Sequence, residues 1–158
     1  MKEQVTLLQN AIRMGNLVQV ESIIENHPAL VNEADERGFT PLIMAAYFNQ
    51  LEIVKFLVDK DARINDVDGA GNTALMGAVF KGYTEVVEFL LEKGASVYTR
   101  NYNGANVMTY AASFGTVDII DMLVTAQADA TVKDNKGLSA IDYAKMQGNT
   151  AFLTAIGQ

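Results

Sequence analysis

Apolar positions along the chain fall into two recurring kinds of helical segment. In EIVKFLVDKDARIND, EVVEFLLEKGASVYT and DIIDMLVTAQADATV the apolar residues recur at i, i+3 and i+4, which gathers them on one face of a helix. Superposed, these segments bring Leu57, Leu90 and Leu123 together, and likewise Ala62, Ala95 and Ala128. Before each lies a shorter segment: RGFTPLIMAA, GAGNTALMGAV and YNGANVMTYAA, with NKGLSAIDYAK closing the series. A shift of 33 residues aligns Gly38, Gly71, Gly104 and Gly137, then Thr40, Thr73, Asn106 and Ser139, then Leu42, Leu75, Met108 and Ile141, and Ala45, Ala78, Ala111 and Ala144. The N-terminal segments LLQNAIRMGN and VESIIENHPALVNEAD fit at a shift of 34, and one extra residue near Pro28 accounts for the slip.

Thr40, Thr73, Asn106 and Ser139 are all N-cap formers, and Pro41 follows its cap at a position where a missing N–H costs nothing. Each therefore marks the start of a short helix. The small residues at Ala45, Ala78, Ala111 and Ala144 allow that helix to approach a neighbour closely, and the second segment supplies its antiparallel partner. The glycine before each cap suits a turn that needs positive φ or a tight approach. A helix pair of this size cannot bury its own apolar faces and must stack on copies of itself. The expected fold is all-α, a solenoid of helix-turn-helix units with hairpin-like tips. It forms one domain over residues 1–158, with units at about 1–35, 36–68, 69–101, 102–134 and 135–158, and the terminal units are expected to be the least regular.

The period, the match of GFTPLIMAA to the pattern G-x-T-P-L-H-x-A-A, and the unit endings ARIND and ASVYT resemble ankyrin repeats, from about Val5 to Ile156. The chain departs from that pattern in places. The His after the T-P-L triplet is replaced by Ile43, Met76, Thr109 and Asp142, which puts in question the inter-loop hydrogen bonds that this His makes in the family. Of the glycines usual at the end of the second helix only Gly94 is present, with Asp61 and Gln127 at the matching places. The resemblance places Asn32 and Asn65 where an Asn side chain braces the loop.

Composition narrows the chemistry. Nearly half of the residues are apolar, yet no run approaches the roughly 18 needed for a membrane span, and MKEQVTLLQNAIR lacks the apolar core of a secretory signal. There is no Cys, so neither disulfides nor thiolate metal sites are expected, and the chain fits a reducing, cytoplasmic setting. His27 is the only histidine and reads as a solvated loop residue. Glu85, Glu88, Glu92, Asp118 and Asp121 share a face of the second helices without a loop to gather their oxygens, so they read as solvated surface and not as a metal site. GAGN and YNGAN lack the spacing of a P-loop. No nucleophile with its base is present, so no catalysis and no cofactor are expected.

What is left is a surface. The resemblance implies that partners contact the turn tips and the inner side of the first helices, which the curvature of the stack makes concave. By register that face carries Arg13, Met14, Arg37, Phe39, Tyr47, Phe48, Phe80, Lys81, Tyr102, Ala105, Phe114, Lys136 and Met146. Neighbouring residues on a helix point about 100° apart, so Tyr47 and Phe48 cannot both enter a narrow apolar stripe; rings here either pack between adjacent first helices or serve as contact residues. Arg13, Arg37, Lys81, Arg100, Lys133 and Lys136 map to the same face or its tips, in a protein of net charge −7. The expectation is a monomeric module that binds an acidic, partly apolar protein segment. Stacked rings and cations would also suit single-stranded nucleic acid, which the overall negative field opposes.

Overall fold

The computed structural model describes residues 1–158 as ten α-helices in sequence-order pairs, and the only strand-like feature is an isolated bridge between Val67 and Thr73. The first members of the pairs are α1 (Lys2–Arg13), α3 (Pro41–Tyr47), α5 (Ala74–Lys81), α7 (Val107–Phe114) and α9 (Ala140–Gln147). The second members are α2 (Leu17–Asn26), α4 (Leu51–Asp59), α6 (Thr84–Glu92), α8 (Val117–Thr125) and α10 (Thr150–Ala155). Odd helices pack on odd helices, even on even, and each odd helix on the even helix that follows it. The extra residue near Pro28 lies in a 3-10 turn, Pro28–Asn32, which closes the first unit.

The four N-caps form as their residue types demand. The side chains of Thr40, Thr73, Asn106 and Ser139 accept backbone N–H bonds from Ile43, Met76, Thr109 and Asp142 respectively. Replacing the family's His has a different consequence in each half of the chain. Ile43 and Met76 are buried, whereas Thr109 and Asp142 accept the backbone N–H of Asn106 and Ser139 and so close capping boxes.

The even helices α4, α6 and α8 end alike. In each, the residue after the cap has positive φ: Asp61 at 64°, Gly94 at 84° and Gln127 at 61°. The next N–H reaches back to Leu57, Leu90 or Leu123, as a Schellman motif requires. Its donors are Ala62, Ala95 and Ala128, so the Leu/Ala repetition in the sequence records this closure.

Between pairs, four tips are built around Asp35, Asp68, Asn101 and Asp134. One side-chain oxygen of each accepts two backbone N–H groups of its own turn. Successive tips are joined by backbone bonds: Gly69 N–H to Arg37 O, Tyr102 N–H to Ala70 O and Asn135 N–H to Asn103 O, each 2.9–3.0 Å. These bonds join the tips without the family's His. In the loops that follow the even helices, the Asn32 and Asn65 side chains accept from the N–H of Arg63 and Ser96 in the next unit, 2.8 Å each. A single apolar core runs through the stack from Leu8 to Phe152.

Candidate partner-binding face

The tips and odd helices bring eight of the proposed residues into one cluster. Tyr47 and Phe48 meet edge to face, ring centroids 5.5 Å apart, at the end of α3. Arg13, from the end of α1, sits 5.8 Å over Phe48; Lys81, from the end of α5, sits 5.0 Å over Tyr47. In the first tip Arg37 lies 4.9 Å over Phe39. One helix further on, Phe80 packs edge to face on Phe114 at 4.8 Å and on Tyr110 at 6.0 Å. Cations over ring faces are attracted by the ring quadrupole while they remain hydrated on their outer side.

Exposure decides what these rings can do. Tyr47, Phe48 and Phe80 keep 37–38% of their surface and Phe114 keeps 52%. They are neither buried in the core nor free on the surface: each leans on a side chain of an adjacent unit and offers the remainder to solvent. Arg13 and Lys81 form no ion pair within the chain, and Arg37 approaches Asp35 only to 3.6 Å.

The other proposed residues are dispersed. Met14 and Met146 are exposed at the ends of α1 and α9, Lys136 is exposed on the last tip, and Tyr102 covers Gly71 from the neighbouring tip. Ala105, assigned to the face by register, is buried, its short side chain ending below the surface that Phe39, Asn72 and Leu138 reach at the equivalent places. Arg100 is committed elsewhere: its guanidinium donates to the carbonyls of Gly104 and Lys133, tying the third tip to the start of the fourth. The acidic residues Glu85, Glu88, Glu92, Asp118 and Asp121 are exposed along the even helices, on α6 and α8.

Register alone missed one part of this face. A pocket of about 290 Å³ opens within this cluster between Tyr47 and Phe80, lined by Phe39, Tyr47, Phe80 and Tyr110, with Asp68 and Asn72 on its polar side. Its origin is Gly77, which stands where the other units have Met44, Tyr110 and Tyr143. The signal was therefore a missing side chain in the alignment. Burial pushes the Tyr110 phenol above its ordinary pKa; the hydrogen bond from Asn101 opposes this and the Asp68 charge adds to it. In the last unit Tyr143 O–H donates to Asp134 Oδ2, which holds that carboxyl below the usual range and the phenol above its own.

No helix is long and apolar enough to cross a membrane. A family profile described as ankyrin repeats (3 copies) matches residues 8–101, and a second, ankyrin repeats (many copies), matches residues 90–144. Among curated proteins the chain is similar to the human DNA-binding protein RFXANK, 47% identical over 45 residues, which is 28% of this chain and 17% of that protein. It is also similar to zebrafish (Danio rerio) ankyrin repeat and SAM domain-containing protein 6, 44% identical over 51 residues, 32% of this chain and 7% of the relative. Human NAD-capped RNA hydrolase NUDT12 is 36% identical over 59 residues, 37% of this chain and 13% of the relative. The matched segments thus span less than a fifth of each of these relatives, and what they have in common with the chain is the repeated unit. Period, caps, helix closures and family profiles agree: the chain belongs to the ankyrin-repeat family.

Proposed function

We propose that the exposed side of the odd helices and the adjoining tips form a concave docking face for an acidic, partly apolar segment of a partner protein. Ankyrin repeats in general mediate protein–protein interaction. The observation that carries the finer reading is the pairing of cations with half-covered rings, Arg13 with Phe48 and Lys81 with Tyr47, with no carboxylate of the chain neutralising either cation. Rings that are already oriented lose few rotamers on binding, and unpaired cations steer an acidic partner toward them. In this reading the protein is a monomeric, non-enzymatic module working in the cytoplasm, and nucleic acid is disfavoured by its net charge of −7.

The test is capture from a lysate of the source cells with the wild type and with Phe48→Ala/Phe114→Ala, followed by calorimetry against the captured protein. Loss of a central ring should weaken binding by about 2 kcal/mol or more, with the unfolding midpoint nearly unchanged. Intact capture by a destabilised double variant would assign the rings to folding alone. Tighter binding of an oligo-dT strand than of any protein would favour the nucleic-acid alternative.

A further inference from the structure

The four tip residues Asp35, Asp68, Asn101 and Asp134 use one side-chain oxygen in the same way and differ in the other atom. Asp134 Oδ2 accepts the hydroxyl of Tyr143, and Asn101 Nδ2 donates to the hydroxyl of Tyr110, 3.0 Å. Asp35 Oδ2 faces Arg37. Only in the third unit is the second atom left over: residue 77 is glycine, no hydroxyl arrives, and Asp68 Oδ2 has no hydrogen-bond partner in the chain although Asp68 is only 9% exposed. No fully enclosed side-chain polar atom lacks a partner, so this oxygen keeps contact with solvent, and Asp68 lines the pocket above Gly77. A Cβ placed on Gly77 would meet nothing closer than Tyr47 Cδ2 at 3.9 Å, so the space is open down to the backbone.

We propose that this pocket receives the side chain of a partner's unmodified tyrosine, its ring between Tyr47, Phe80 and Tyr110 and its hydroxyl donating to Asp68 Oδ2. The chain already makes that pair within itself, between Tyr143 and Asp134. A carboxylate can only accept, so the guest must bring a donor. The volume, about 290 Å³, lies just below the range of ligand pockets, roughly 300–1,000 Å³, and suits one side chain. A cationic guest would come up against Lys81, already seated over Tyr47. A phosphotyrosine would set its negative charge against Asp68 and lose the donor. The identity of the guest's carrier rests on the docking face proposed above; the pocket's chemistry does not.

The probe is p-cresol, titrated into the ¹⁵N-labelled chain and followed by amide shifts, with 4-methylanisole as the analogue lacking the donor and n-butylammonium as the cation. Saturable shifts confined to the amides around Asp68, Gly77 and Phe80 are expected, with 4-methylanisole binding at least about 10-fold more weakly, as loss of a hydrogen bond to a charged group implies. Asp68→Asn keeps the turn, as Asn101 shows, and should weaken p-cresol several-fold. Gly77→Tyr should fill the pocket from within and abolish p-cresol binding while the circular dichroism stays that of the wild type. Equal binding of 4-methylanisole, unchanged affinity in Asp68→Asn, tighter binding of n-butylammonium, or shifts elsewhere would each overturn the assignment. Capture by the Phe48/Phe114 variant and titration with p-cresol read different things, so failure of the docking face and failure of the pocket are distinguishable.

Discussion

Gln127 holds φ of 61° at the end of α8 with an exposed side chain that makes no hydrogen bond. The equivalent Gly94 closes α6 through the same two backbone bonds. A residue with a Cβ in the left-handed region costs about 1–2 kcal/mol, and glycine returns about 0.5–1 kcal/mol of that through the freedom it gains in the unfolded chain. Gln127→Gly should therefore stabilise by roughly 0.5–1 kcal/mol. With a urea m-value of about 2–3 kcal/mol/M the midpoint rises by about 0.2–0.5 M. Urea melts followed by far-UV circular dichroism and by tyrosine fluorescence would measure it, and the two probes must coincide for the arithmetic to apply. The control is Gln127→Ala, which keeps the Cβ and should gain nothing. If alanine stabilises as much as glycine, or glycine lowers the midpoint, the left-handed strain is not where the energy lies. The mirror experiment is Gly94→Ala: an added Cβ there meets nothing within 4 Å, so a loss of about 1 kcal/mol would report backbone conformation alone.

Gly77→Ala should stabilise by about 1 kcal/mol through helix propensity, since its Cβ makes only an ordinary contact with Tyr47; a lower midpoint would show that the pocket floor is tighter than its geometry implies. Gly115→Ala should behave in the opposite way. Its φ of −73° is unremarkable, but the new Cβ would lie 2.7 Å from Ala111 O, so a loss of about 1–3 kcal/mol is expected as a fall in melting temperature. Asp142 is held below the usual carboxylate range by the Ser139 N–H and hydroxyl, and Asp134 by Tyr143 O–H. Folded values below the unfolded ones give stability that is complete above the ordinary carboxylate pKa and lost as pH falls through the folded values. Hydrogen exchange of the amides of Lys136, Leu138 and Asp142 should accordingly rise below about pH 4 before that of Leu75, and a central unit opening first would contradict it.

The repeated letters were readable because each does the same physical work in every unit. Thr40 and its equivalents cap, Leu57 with Ala62 and its equivalents close a Schellman turn, and the aligned glycines take positive φ. Tyr47, Phe48, Phe80 and Phe114 were legible as a group because a helix end repeats every unit. What register cannot supply is the use to which a long side chain is put. Arg100 has the position of a surface cation and spends its donors on two carbonyls. The pocket was harder still, since a void at Gly77 arises from an atom set that is missing, and its consequence falls on Asp68, nine residues away in the chain.

The tips are linked to one another by single backbone bonds, Arg37 to Gly69, Ala70 to Tyr102 and Asn103 to Asn135, and every substantial helix contact lies within a unit or between adjacent units. Mechanically this is a set of interfaces in series. Pulled from its two ends, every junction bears the same force, so the first to give way is the weakest and not the most distant from the core. That junction should be the first, between the α1–α2 pair and the α3–α4 pair, because it is the one that no tip-to-tip backbone bond crosses. Under load the protein would shed its N-terminal unit as one step and keep the ring-bearing units in register, so a tethered partner would feel a compliant tail attached to a stiff plate.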